Sequence, residues 1–482
     1  MYSRLIIRLF ENYKHFYRSK RFKSRHSSIA LNKQKLTAKD KALEHFDDFY
    51  GNVFKKQWPS IRLALLSTQK YIAIINNFSD VERIKNELEN LGGINIRRLL
   101  EIQNDKTNDS AESIKVKKQN VEKLNAKIQQ FGQKKQDEEL AAFYPSNEGN
   151  LLPSNSLEIN VSEDRLIEPS LGLSASTVTE FVPTSKLIGL ENWLPESQHY
   201  SHYADNQDYP FEIKQQNSID FPSHLHAYTY EIGNVERFPS PKKGTTGVSD
   251  YYLLNGGSLL PVLALDLKPG DNVLDMCASP GGKGLLCLQT LLPRTVVLND
   301  VSESRINKIR NVMNEFFYNF DEREEKGEII LTRMDGRVFN TENVFDKILV
   351  DVPCTTDRHA VMEDDNNIFK SGRIKERIKI PELQSELLIN ALKLVKVGGT
   401  VVYSTCSLSP TQNDGVIALS LRRLSEQTDH QFVVIDMTKA LKSSRILYNY
   451  GNNLGLKCGH LVIPYLPANF GPTYFCKILK IK

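Results

Sequence analysis

Two of the six cysteines stand where a thiol could do chemistry. Cys354 closes the segment Val350-Asp351-Val352-Pro353-Cys354, and Cys406 lies within Tyr403-Ser404-Thr405-Cys406-Ser407. Each segment follows a short apolar run of strand character, and in a parallel sheet such strand ends lie side by side. One cysteine in either place reads as a small buried residue. Two at equivalent strand ends bring two thiols and the Asp351 carboxylate together. That set suits substitution on an electron-poor ring. Carbon 5 of cytosine is a poor nucleophile, but a thiolate adding at carbon 6 turns it into an enamine that attacks an electrophilic methyl group. An acid near ring nitrogen 3 stabilises the adduct, and a base then removes the proton on carbon 5 so that the thiolate leaves. Spacing alone does not say which thiol attacks.

Upstream, Asp275 to Lys283 reads DMCASPGGK and joins a strand to a helix. Pro280 breaks the strand, and Gly281 and Gly282 let backbone approach a ligand closely. The turn is neither G-x-G-x-x-G nor a Walker loop. Asp300, about 20 residues further on at the end of the next strand, is placed to accept ribose hydroxyls. Asp335, in Met334-Asp335-Gly336 after the third strand, could meet an adenine amino group. Each feature alone also reads as an unliganded turn; together they indicate a nucleoside-bearing cofactor. No cysteines form a C-x-x-C pair, which argues against zinc, and no metal is expected.

The elements that must position these groups begin near Ser240. Strands are expected at Asn272–Met276, Thr295–Leu298, Glu328–Thr332, Lys347–Val350 and Thr400–Tyr403, with the last at Phe432–Ile435 and Tyr474–Leu479. Helices are expected at Gly282–Leu292, Glu303–Phe317, Glu382–Val395 and Asp414–Ser425. This alternation implies an α/β fold: a doubly wound, mostly parallel seven-stranded sheet with helices on both faces, over residues 225–482. Residues 40–102 read as a helical N-terminal region, with Leu43, Phe46, Tyr50 and Phe54 on one face and an amphipathic stretch from Ile61 to Phe78. Residues 103–222, rich in Ser, Asn, Pro and Glu over much of their length, read as a mostly flexible insertion. No run approaches the roughly 18 apolar residues of a membrane span.

The first 26 residues are Arg-rich and acid-poor, with apolar residues at helical spacing, the pattern of a mitochondrial transit peptide. Residues 1–25 carry eight basic side chains against Glu11; without them the formal charge changes sign, from +4 to −3. Any grip on RNA must then come from a local patch or a partner. The best internal candidate is Lys370, Arg373, Lys375, Arg377 and Lys379, just after Cys354.

DMCASPGGK, Asp300, Asp335, Asp-Val-Pro-Cys and Ser-Thr-Cys-Ser, in that order, resemble the Sun (Fmu-like) family of RNA cytosine-5 methyltransferases. The resemblance implies that Cys277, Ala278, Ser279, Pro280, Gly281, Gly282, Lys283, Asp300, Asp335 and Asp351 bind S-adenosylmethionine. It implies that Cys406 is the nucleophile, that Cys354 assists product release, and that Asp351 and Lys283 act on the base. Asn413 falls at a family motif near the site. DVPCTTDRHAVMEDDNNIFK (Asp351–Lys370), WPSIRLALLSTQKY (Trp58–Tyr71) and ANFGPTYFCK (Ala468–Lys477) look most like the mitochondrial ribosomal RNA branch. That branch lacks the separate RNA-binding domain of its relatives. It implies a place in the mitochondrial matrix, small-subunit ribosomal RNA and the mitochondrial ribosomal subunit as targets, and a heterodimer with a helical-repeat protein of the transcription-terminator-factor family. A non-catalytic assembly factor would not need Cys354, Cys406 and Asp351 intact. A protein or small-molecule methyltransferase would carry Asn-Pro-Pro-aromatic in place of Asp351–Cys354. A DNA cytosine methyltransferase would attack with Cys354 and leave Cys406 unexplained.

Overall fold

The computed structural model describes residues 36–108, 211–340, 343–451 and 454–482. The expected transit peptide lies outside these residues, as does most of the expected insertion. The described chain opens with α1 (Ala38–Phe54) and α2 (Trp58–Leu66). Ala42, Phe46, Tyr50 and Phe54 recur every four residues on α1 and are all buried, each aromatic contributing roughly 1.5–3 kcal/mol by burial. Beyond α2 the expected helical region holds two more helices but is interrupted by two strands. Residues 71–75 form strand β1 (Tyr71–Ile75), followed by α3 (Val81–Asn90), β2 (Ile94–Asn95) and α4 (Ile96–Asn108). The run Tyr-Ile-Ala-Ile-Ile is buried at four consecutive positions, and a continuous apolar run carries no period to separate strand from buried helix.

Past the gap come β3 (Glu212–Gln215), β4 (Ala227–Thr229) and β5 (Tyr251–Asn255). A four-stranded sheet forms in the order β2-β4-β1-β5, with antiparallel pairings such as Ala73 opposite Leu253. The N-terminal region and the first residues of the expected catalytic domain thus share one small sheet. Ile72 and Ile74 of that sheet pack into the same core as Leu285, Leu286 and Ile309.

The remaining elements are α5 (Leu259–Ala264), β6 (Asn272–Asp275), α6 (Gly282–Gln289), β7 (Thr295–Asn299), α7 (Glu303–Phe316), α8 (Phe320–Glu325), β8 (Ile329–Thr332), β9 (Phe345–Asp351), α9 (Asp357–Met362), α10 (Ile374–Leu394), β10 (Val395–Thr405), α11 (Asp414–Gln427), β11 (Phe432–Asp436), β12 (His460–Val462) and β13 (Thr473–Lys480). The large sheet runs β3-β11-β13-β10-β9-β6-β7-β8, with β12 paired to β13. The stretch from β11 to β8 is the expected seven-stranded sheet. Strands β6 to β10 are parallel, and β13 runs antiparallel to its neighbours. Ile348 and Val350 of β9 enter one core and Leu349 the other, because successive side chains point to opposite faces. Both faces are therefore covered, as a parallel sheet requires.

Several elements were not expected, α5, α8, α9 and β12 among them. β3 extends the sheet edge, parallel to β11; its four residues are exposed, so no apolar alternation marks it, and it falls inside the expected insertion. α10 starts at Ile374, eight residues before Glu382, and holds Pro381 within it. The chain runs outward through β6, β7 and β8, then returns to β9 and β10. That reversal is the switch point at which such sheets bind ligands.

Candidate active site

Strands β9 and β10 pair in parallel, with Ser404 opposite Asp351. Cys354 lies three residues past one member of that pair and Cys406 two past the other. The two sulfurs come within 2.8 Å, and both are free thiols. The Thr356 N–H donates to Cys354 Sγ at 3.4 Å. Asp351 is held from two sides: Lys283 Nζ donates to Oδ2 at 2.5 Å, and Ser404 Oγ to Oδ1 at 2.7 Å. Burial lowers the Lys283 pKa, but the Asp351 charge and hydrogen bond outweigh it, so the ammonium stays charged. The hydrogen bond to Cys354 and burial both push the Cys406 thiol up, so it rests protonated at neutral pH.

A buried polar network holds the two cysteine loops together. Asp357, at the start of α9, accepts from Tyr50 of α1 (2.7 Å), from the Leu408 N–H (2.7 Å), from Thr355 (2.5 Å) and from Ser407 (3.2 Å). Thr355 and Ser407 hydroxyls meet at 2.9 Å. Gln412 accepts from the Thr355 N–H at 3.1 Å, while Gln384 of α10 donates to the Pro353 carbonyl at 2.8 Å. Burial raises the Asp357 pKa against these donors; a buried carboxylate without them would be prohibitively costly. Asn413 belongs to this framework: it accepts from Thr405 at 2.7 Å and donates to the Ser407 carbonyl at 3.0 Å. It is fully buried, which makes it a positioning residue for the Cys406 loop.

On one side of the cysteines lie the ends of β6, β7 and β8. Gly281 takes a φ of 115°, open to glycine at no steric cost. A Cβ on Gly284 would come within 2.3 Å of Leu298, so the absence of a side chain lets α6 sit against β7. Asn299 ties the three strand ends: it donates to the Met276 and Met334 carbonyls (3.0 and 2.9 Å) and accepts from Thr332 and the Met334 N–H (2.9 and 3.0 Å). Asp300 is 2% exposed. Its Oδ1 accepts from the Ser302 N–H at 3.2 Å; its Oδ2 is buried without a hydrogen bond, although Arg305 stands 3.5 Å away. Neither oxygen of Asp275 has a hydrogen-bond partner. Burial, with the Asp351 charge adding, pushes Asp275 up to about 8. The Cys277 thiol is likewise pushed up by burial.

On the other side a cleft of about 510 Å³ opens onto Cys406. Its walls come from the Ser67–Tyr71 segment, Asn255, α9 and the Gly471–Thr473 turn. Arg358 of α9 joins them. It donates to the carbonyls of Ala64 and Ser67 at 2.8 Å each, to Gly471 at 2.9 and 3.0 Å, and to Asn469 Oδ1 at 2.7 Å. Every acceptor is neutral, so its charge stays uncompensated at the cleft, and burial pulls its pKa down to about 10.

With this geometry in place, comparison with known proteins is decisive. A sequence profile for the family described as 16S rRNA methyltransferase RsmB/F matches residues 262–452. The 5-cytosine rRNA methyltransferase nsun-4 of Caenorhabditis elegans is 35% identical over 477 residues, 95% of each chain. The protein belongs to the RsmB/F family of methyltransferases. The 5-cytosine rRNA methyltransferase NSUN4 of Xenopus laevis is 34% identical, covering 92% of this chain and 90% of that one. A mitochondrial tRNA (cytosine(34)-C(5))-methyltransferase of Mus musculus is 32% identical over 66% of this chain and 88% of its own. A solved methyltransferase homologue from Pyrococcus horikoshii, 18% identical, superposes with a TM-score of 0.47 over 92% of this chain and 98% of that one.

RsmB/F methyltransferases use S-adenosylmethionine, and the residues present fit it. The bond-free buried Oδ2 of Asp300 suits a ribose hydroxyl, and the open turn at Gly281 suits close approach of a ligand to backbone. The structure brings Asp351, Lys283, Cys354 and Cys406 together, with Cys277 to Gly282 and Asp300 at the neighbouring strand ends. Asp335 follows β8, as expected, and has a partner that was not expected. Its carboxylate is engaged by Arg337, whose Nη2 lies 2.7 Å away, and that hydrogen bond holds its pKa low. The basic segment after Cys354 is also partly engaged: Arg373 pairs with Glu376 at 2.6 Å and Arg377 lies over the Phe369 ring at 4.4 Å, leaving Lys370, Lys375 and Lys379 exposed. The sequence reading missed Asp357, Arg358 and Asn299. A polar residue inside a motif-adjacent turn was the available signal for Asp357; nothing local marks the other two.

Proposed function

We propose that this protein methylates carbon 5 of a cytosine in mitochondrial small-subunit ribosomal RNA, through a covalent adduct on Cys406, in support of mitochondrial ribosome assembly. The observation that carries the reading is the contact between the Cys354 and Cys406 sulfurs beside the Lys283–Asp351 pair. The names of its full-length relatives support the substrate class. The basic segment 1–26 and a mitochondrial tRNA methyltransferase among its relatives support a place in the mitochondrial matrix.

In this reading the target base enters the cleft over Cys406. The thiol gives up its proton to the Asp351 carboxylate as sulfur bonds to carbon 6. The displaced electron pair moves toward ring nitrogen 3, where Asp351, fixed by Lys283 and Ser404, delivers the proton it took from Cys406. Bound S-adenosylmethionine supplies an electrophilic methyl group; Cys277 to Lys283, Asp300, Asp335 and Asp351 would hold it, Asp335 while also paired with Arg337. Cys354 then assists removal of the carbon 5 proton to solvent, the bond between Cys406 and carbon 6 breaks as the nitrogen 3 proton returns through Asp351 to the Cys406 sulfur, and the ring double bond re-forms. The resemblance makes Cys406 the attacker and Cys354 the releaser, and the place of Cys406 in the cleft wall supports that order.

With residues 1–25 removed the chain has no basic excess, and two of the five basic residues after Cys354 are engaged within the fold. RNA delivery by a helical-repeat partner of the transcription-terminator-factor type, in a heterodimer, is consistent with both. Bisulfite mapping of mitochondrial small-subunit ribosomal RNA after depletion of the protein tests the reading. Loss of 5-methylcytosine at one position is expected; an unchanged map contradicts it.

A further inference from the structure

The cleft over Cys406 has a neighbour. A second cavity, of about 340 Å³, lies against the small sheet, within the ~300–1,000 Å³ range of small-ligand sites. The two share Thr68, Gln69, Tyr71 and Arg237 in their walls. The shared wall is a fixed ridge. Asn255 donates to Gln69 Oε1 at 2.9 Å, and Gln69 donates to the Tyr71 hydroxyl at 2.6 Å. Between them Lys70 is turned away, its ammonium donating to the carbonyls of Tyr230 and Glu231 at 2.9 and 2.6 Å. Asn469 anchors the same segment by donating to the Thr68 carbonyl at 3.0 Å.

Three apolar or aromatic side chains of the second cavity meet solvent beside the polar Glu236, Arg237 and Ser240. Val235 is 78% exposed, Leu466 47% and Tyr71 37%. Arg237, exposed and bordering both cavities, makes no ion pair with a described carboxylate, although Glu236 and Glu363 stand on the rims. Apolar and aromatic surface accepts the flat face of a base, and an unengaged guanidinium matches a phosphate. Exposed apolar surface continuous with a catalytic cleft calls for an occupant attached to the substrate.

We infer that the second cavity binds the nucleotide adjacent to the target cytidine in the same RNA strand, its base against Val235, Leu466 and Tyr71, and the linking phosphate on Arg237 as it crosses the Gln69 ridge. The inference rests on Cys406 being the group that adds to the target base. It makes the small sheet, shared between the N-terminal region and residues 227–255, part of substrate recognition.

The test uses the full-length chain and a small-subunit ribosomal RNA transcript. A benzophenone side chain is placed at position 235 in a Cys354→Ala background, where the Cys406 adduct marks the target cytosine. The crosslink is expected on the immediate 5′ or 3′ neighbour of the adduct. An adduct with the crosslink elsewhere, or with none, overturns the subsite alone. No adduct overturns the reading beneath it, and the subsite with it. In the Cys354-intact enzyme, Arg237→Ala is expected to raise KM for the transcript about tenfold and to reduce the slope of log KM against log salt by about one, with cofactor Kd unchanged. An unchanged KM and slope in that variant contradict the phosphate contact.

Discussion

On one side of Cys406 every functional group comes from the end of a sheet strand or the turn that leaves it. On the other, the cleft wall is assembled from segments scattered between Ser67 and Thr473. The strand-end side is held by backbone pairing through β6, β7 and β9 and by Asn299 across three strands. On the cleft side backbone pairing reaches only part of the wall, as where Tyr71 of β1 stands opposite Asn255 of β5. Its other segments are joined by side chains: Arg358 donates to four residues from two distant parts of the chain, and Asn469 donates to the Ala64, Ser67 and Thr68 carbonyls. The first arrangement fixes groups relative to the sheet; the second gives a wall that can differ in sequence while the chemistry stays put.

The two sides should therefore fail separately. Asp300→Asn removes the buried anion at the end of β7 and is expected to weaken cofactor binding about 10- to 100-fold, with the KM for RNA little changed, as measured by calorimetry and steady-state kinetics. Arg358→Met removes the clamp, and is expected to raise the KM for RNA about tenfold and lower stability by about 3 kcal/mol at unchanged cofactor Kd. Arg358→Lys should restore little, since one ammonium cannot reach the same carbonyls. Variants that shift both constants together would show that the two sides are one unit.

A smaller effect sharpens the strand-end side. Asp275 is pushed up to about 8 in the fold and ionises near 3.9 when unfolded. Between those values the folded protein binds more protons, so this group's contribution to stability is fully present below about pH 4 and is lost as pH rises through about 8. Asp275→Asn lacks that dependence. Its melting temperature, relative to the unsubstituted protein, is expected to rise from pH 5 to pH 8. A difference that stays flat over that range contradicts a buried, proton-holding Asp275.

The same contrast governs what the sequence could reveal. The strand-end side is written in contiguous motifs, because a strand, a turn and a helix are local events; Cys277 to Lys283, Asp300, Asp351 and the two cysteines were legible from spacing. Their chemical order was not, and came from resemblance. Asp335 was legible as a strand-end carboxylate, but its engagement by Arg337, two residues on, was not weighed. The cleft side depends on β1, whose buried Ile-rich run has no diagnostic period; β3, at the far edge of the large sheet, escaped for a different reason, since its residues are all exposed. Arg358 stands within one of the recognised segments, yet its acceptors lie more than a hundred residues away in the chain, and no local pattern records them.

The central claim is that Cys406 attacks and Cys354 releases. Incubating each single alanine variant with the small-subunit ribosomal RNA transcript and S-adenosylmethionine, then resolving protein–RNA adducts by denaturing electrophoresis, tests it directly. Cys354→Ala is expected to accumulate a covalent adduct, and Cys406→Ala to form none and to transfer no methyl group. An adduct retained by Cys406→Ala and lost in Cys354→Ala would reverse the two roles and contradict the account.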